Sequence, residues 1–147
     1  MKSTLQRATL ASLLSGIIGF VMLAAFSHIL WRVYPYPHEA DELQIKLVWA
    51  HNILLEKLFG FLVLAICAIA ASLPLRRNWR IGLGAGIGSG LVYQGIVSIT
   101  YISRFGLSEF SKSCPFWATI ETTLAISALF SFLSIWGVYR QEYKQNN

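Results

Sequence analysis

An uncharged run of 22 residues, 81–102 (IGLGAGIGSGLVYQGIVSITYI), holds six glycines among its first 15 positions. In water such a run is a poor helix, because each glycine costs about 1 kcal/mol relative to alanine. In a bilayer the alternatives are worse, since an unpaired backbone amide there costs several kcal/mol. The run therefore predicts a transmembrane helix, with its glycines marking places where neighbouring helices approach closely.

The remaining sequence agrees with a membrane setting. The chain has 147 residues, of which 55% are hydrophobic and 13% charged, against roughly 25% charged in a soluble domain. Four apolar stretches, 8–31, 58–75, 81–102 and 115–139, are each near the length of about 20 residues needed to span. The first follows Lys2 and Arg7, as a signal peptide would, but exceeds the usual core of roughly 7–15 residues and reads as a retained anchor. The fold class predicted is an all-α membrane protein: one domain of four transmembrane helices, with an amphipathic outer segment, 39–57, before the second.

The formal net charge is +5, yet the basic residues sit in short clusters between apolar runs. That pattern follows membrane topology and lacks the basic face that nucleic acid requires. With the N-terminus inside, Lys2, Arg7, Arg76, Arg77, Arg80, Arg140 and Lys144 are cytoplasmic. Arg32, Lys46, Lys57, Arg104 and Lys112 fall on the other side. Trp31 and Trp117 mark the outer boundary and Trp79 and Trp136 the inner one, so both termini are expected in the cytoplasm.

Along the chain, two prolines one residue apart, Pro35 and Pro37, end the first helix in an extended exit. In 39–57 the residues Leu43, Leu47, Ala50, Leu54 and Leu58 form one helical stripe, with Glu42, Trp49, Asn52 and Glu56 mostly away from it. This segment either lies along the outer membrane surface and bends at Gly60, or continues as one helix with 58–75. In the third span Gly82, Gly86 and Gly90 share one face and Gly84, Gly88 and Gly95 lie roughly opposite. One face suits helix 2 or 4, and the other suits helix 1 or a second copy of the chain. Thr123, Ser127, Ser131 and Ser134 give the fourth span a hydroxyl stripe.

Glu121 is the outstanding candidate for chemistry, an ionisable group about two turns into the fourth span. Gln94 and Tyr93 fall at comparable depth and His28 lies three residues inside the outer end of the first span, predicting an outward-facing polar pocket, with Arg104 near enough to pair with the carboxylate. Two roles stay open for Glu121: structural pairing with Arg104 or Gln94, and a proton-linked or ligand-binding role. His28, His38 and His51 lack metal-site spacing, and no cofactor is indicated. Cys67, expected near the bilayer centre, and Cys114, expected at the outer boundary, are too far apart for a disulfide.

Several of these features together resemble the YagU family of bacterial inner-membrane proteins. They are the first helix running through Trp31 into the proline exit at 33–37, Cys67 seven residues before Pro74, Trp79 five after it, the opening Gly82-Leu83-Gly84-Ala85-Gly86, and Pro115 followed two turns later by Glu121. The resemblance implies a multipass protein of the bacterial inner membrane, without an assigned biochemical activity and associated with acid tolerance, and carries over Glu121 alone; the function expected for the chain is that of a non-enzymatic envelope protein. The sequence departs from that pattern in lacking a long outer insertion between the first two helices and histidines in helices 3 and 4, where Gln94 and apolar residues stand. The rival readings are a small transporter or channel subunit using the outer pocket, and a membrane enzyme acting on lipid or quinone. The partners expected are the lipid bilayer and a second copy through helix 3.

Overall fold

The computed structural model describes residues 2–35, 41–113 and 116–145. Pro37, His38, Glu39, Cys114 and Pro115 lie outside the described residues. Four long helices make up the chain: α1, Lys2–Val33; α2, Glu42–Ser72; α3, Trp79–Ser113; and α4, Phe116–Gln145. Each contains a stretch long and apolar enough to cross a membrane, and there is no strand among the described residues.

The helices alternate in direction, and the connections explain how. Pro74 enters a 3₁₀ turn, Leu73–Leu75, directly after α2. Arg76 N–H then bonds Leu73 O at 3.2 Å and Asn78 N–H bonds Leu75 O at 3.0 Å, which reverses the chain within a few residues. α3 starts from Asn78, whose carbonyl accepts from Gly82 N–H at 2.9 Å. Near its far end α3 breaks at Gly106, with φ 82° and ψ 162°. A side chain there would cost about 1–3 kcal/mol of backbone strain, so the break needs glycine.

α2 and α3 are the central pair. Half of the α2 span and 44% of the α3 span are buried against neighbours, compared with 17% of α1 and 22% of α4. α1 and α4 flank that pair, each touching both central helices. The outward face of α1, including Leu10, Leu14, Ile17, Ile18 and Val21, is left exposed for lipid.

The segment 42–57 is the first half of α2 rather than a separate surface helix, and the chain passes helically through Gly60. The reason lies in which side faces the bundle. Leu43, Leu47, Leu54 and Leu58 are all more than half exposed, whereas Asn52 is fully buried and Glu56 half-buried. The polar residues thus continue the inward stripe that Val63, Leu64, Cys67, Ala68, Ala71 and Ser72 form lower down. The leucine stripe points outward.

Asn52 fastens the top of this arrangement. Its amide nitrogen donates to Tyr34 O at 3.1 Å, satisfying a carbonyl left over where α1 ends. Its side-chain oxygen lies 3.2 Å from His51 Nδ1, and the His51 ring meets Tyr34 edge-on. Asn52→Ala is expected to lower stability by about 1–3 kcal/mol, because it removes the donor to the Tyr34 carbonyl from a fully buried position. Thermal unfolding of the purified variant in detergent measures the loss.

Candidate functional site

The α3–α4 seam sets the site's position. Gly82, Gly86 and Gly90 face Ile135, Ser131 and Ser127 at successive turns, as antiparallel helices in one register require. A Cβ at Gly86 would overlap Ser131 Oγ, and one at Gly90 would overlap Ser127 Oγ. Glycine puts a hydrogen where that carbon would be, so each serine oxygen meets a C–H, a contact worth about 0.5–1 kcal/mol. The Ser127 hydroxyl is fully buried with no hydrogen-bond partner among the described residues, which leaves the C–H contact as its compensation. One turn further out the same register brings Gln94 to Thr123, whose hydroxyl donates to Gln94 Oε1 at 3.3 Å.

α1 approaches the same core through its own small residues. The Ser12 hydroxyl reaches Ala85 O across the helices at 2.9 Å, and Gly16 lies against Val92. Gly19 lies against Cys67, placing that buried cysteine within the α1–α2 contact. Tyr93 fits between Gly19 and Gly60, its hydroxyl over Gly60. Gly60 is therefore a notch that admits the ring, not a bend point.

Above the seam the four helices part around a cavity of about 430 Å³. Its polar lining is Glu56, Lys57, Tyr93, Gln94, Thr122 and Thr123, set among apolar side chains such as Leu23, Phe61 and Leu64. Glu56 is anchored from α1: Ser27 Oγ donates to its Oε1 at 2.6 Å and Trp31 Nε1 donates to the same oxygen at 2.8 Å. A carboxylate accepts at about four lone-pair sites, so these two donors orient it without exhausting it. Below the cavity the interior closes. Val63, Leu64, Ala68, Ala71, Ser72, Ala85 and Ser89 are each 2% exposed or less, so these described residues pack the interior tightly there.

Of the five pocket residues expected from the sequence, the structure brings two together. Gln94 and Tyr93 line the cavity, whereas Glu121, Arg104 and His28 are exposed and absent from its lining. The physical reason is helical phase. Thr123 faces Gln94, and Glu121, two residues earlier, sits about 200° around α4 and points outward. No ion pair joins Glu121 to Arg104 among the described residues. The carboxylate of the cavity is Glu56, which the sequence placed only away from the leucine stripe of 39–57 and not in the pocket. The signal that would have found it is the four-residue repeat Asn52, Glu56, Gly60, Leu64 on α2.

The glycine expectations divide in the same way. Gly82, Gly86 and Gly90 pack against α4, and Gly88 against Ser12 of α1. A side chain at Gly84 or Gly95 would meet nothing within 4 Å, so close packing is not exercised there within the chain.

No protein-family model, curated protein or solved structure matches the chain. The fold and cavity define its class: a four-helix protein whose helices are long and apolar enough for membrane spanning, with a cavity at one end above a tightly packed interior.

Proposed function

We propose that the chain is a non-enzymatic multipass membrane protein that binds a small amphipathic molecule, one with a cationic or hydrogen-bond-donating head, in the outer cavity. The observation that carries this reading is the Glu56 carboxylate, held by Ser27 and Trp31 at the wall of a mostly apolar space beside Gln94. Ligand sites are commonly apolar cavities of about 300–1,000 Å³ with a few converging polar groups. An ionisable group within a membrane span marks function by default. The tightly packed lower half favours binding over conduction, since a channel requires a continuous path.

The proposed location is the bacterial inner membrane, with the arginine turn and both termini in the cytoplasm. Charge supports this orientation: the end bearing Arg76, Arg77 and Arg80 carries seven of the chain's twelve basic residues. The acid-tolerance role implied by the YagU resemblance gains no support from the cavity, whose carboxylate is Glu56 rather than Glu121.

Native mass spectrometry with three ten-carbon probes tests the binding. Decylamine is expected to be retained and decanoate rejected, with decanol between them. Glu56→Gln should keep the fold and erase the preference for the amine. Equal retention of decylamine and decanoate by the wild-type protein would contradict the proposal.

A further inference from the structure

At the opposite end of the molecule, a second and larger groove of about 510 Å³ runs between the first turns of α3 and the last turns of α4. Leu83, Phe132 and Trp136 form its apolar wall, and Trp79, Tyr139 and Arg140 lie at its rim. Trp79, Trp136 and Tyr139 are each more than half exposed, so this aromatic surface is left uncovered by the described residues.

The charge around the groove is one-sided. Arg80 stands 5.5 Å over the Trp79 ring, which holds a guanidinium at the rim without neutralising it. Arg76 pairs with Glu142 at 3.5 Å. Glu142 is also the one acidic residue among the chain's seven that belongs to this end, against seven basic residues. An apolar trough lined with aromatic rings and capped by arginines matches one occupant by chemistry. Its acyl chain fills the trough, tryptophan and tyrosine lie at headgroup depth, and arginine meets a phosphate.

We propose that this groove seats an anionic phospholipid, with its phosphate at Arg80 and Arg140 and an acyl chain against Phe132 and Trp136. The site is separate from the outer cavity and independent of the reading given to it. Basic recesses between membrane helices are suited to such headgroups, and each arginine near an anionic surface contributes enough to change affinity about fivefold.

Tryptophan quenching by brominated lipids tests it. The full chain is placed in phosphatidylcholine vesicles containing dibrominated phosphatidylglycerol or, separately, dibrominated phosphatidylcholine. Trp79→Phe and Trp136→Phe assign the quenched signal. Phosphatidylglycerol should associate at least about fivefold more strongly than phosphatidylcholine, and Arg80→Gln and Arg140→Gln should each reduce that ratio about fivefold. Arg7→Gln, at the same end but on α1, should leave it unchanged. The wild-type ratio needs no variant to fold, and a value near one overturns the proposal. So does an equal fall in Arg7→Gln, which would make the preference a general field effect. Displacement of the lipid by inorganic phosphate would reduce the site to a headgroup pocket, and tryptophans unreached by either lipid, with a dimer on cross-linking, would give the groove to a second copy. Either result also overturns it.

Discussion

Gly86→Leu is expected to cost about 3 kcal/mol or more of stability, the largest effect of any single substitution considered. Even a methyl group at this position would overlap Ser131 Oγ and come within 3.2 Å of the Ala68 carbonyl oxygen, so α3 is pressed from two helices at once. Relief requires backbone movement, because Ser131 Cβ, at 2.7 Å, and the Ala68 carbonyl oxygen shift only with their helices, even where the serine hydroxyl rotates away. Gly84→Leu is the matched control. It adds the same side chain to the same helix where nothing lies within 4 Å, and should be neutral or stabilising by up to about 1 kcal/mol through helix propensity. Unfolding in mixed micelles compares the two. A second test uses the partner: Ser131→Gly should recover part of the loss in Gly86→Ala, because the two positions share one contact.

The next largest effect is expected at Glu56. Glu56→Ala removes the acceptor of two donors, Ser27 Oγ and Trp31 Nε1, and should lower stability by about 2–3 kcal/mol. Glu56→Gln keeps an oxygen in place for both and should cost about 1 kcal/mol or less. The pair separates two roles of one side chain. Stability follows the hydrogen bonds and survives in the glutamine variant, whereas selectivity for a cationic head follows the charge and does not. Thermal unfolding reads the first role and amphiphile retention the second.

The glycine-rich run announced a close-packed helix because the bilayer leaves the backbone no other option. The hydroxyl stripe at Thr123, Ser127 and Ser131 matched it in period, so the α3–α4 seam was legible from both partners. The cavity was not, and the reason is one of sign. In a water-soluble helix the leucine stripe of α2 would face the core. In a membrane-spanning helix the apolar stripe is free to face outward, and the polar residues Asn52 and Glu56 turn toward the bundle, where partners exist. Leu43, Leu47, Leu54 and Leu58 are accordingly more than half exposed. Glu121 misled for a related reason. Depth along α4 can be counted from the sequence, but the side of the helix it occupies depends on the phase against α3. That phase is fixed by which hydroxyl meets Gly90, and several in the stripe are possible.

The register of α3 against α4 underlies the seam, the cavity and the displacement of Glu121, and disulfide trapping reads it directly. In a background carrying Cys67→Ala and Cys114→Ser, the pair Gln94→Cys with Thr123→Cys should cross-link within one chain on mild oxidation, because the register that sets Gly86 against Ser131 and Gly90 against Ser127 repeats one turn further out. The pair Gln94→Cys with Glu121→Cys should not. Cross-linking of position 121 in place of 123 would turn Glu121 into the bundle and contradict the account.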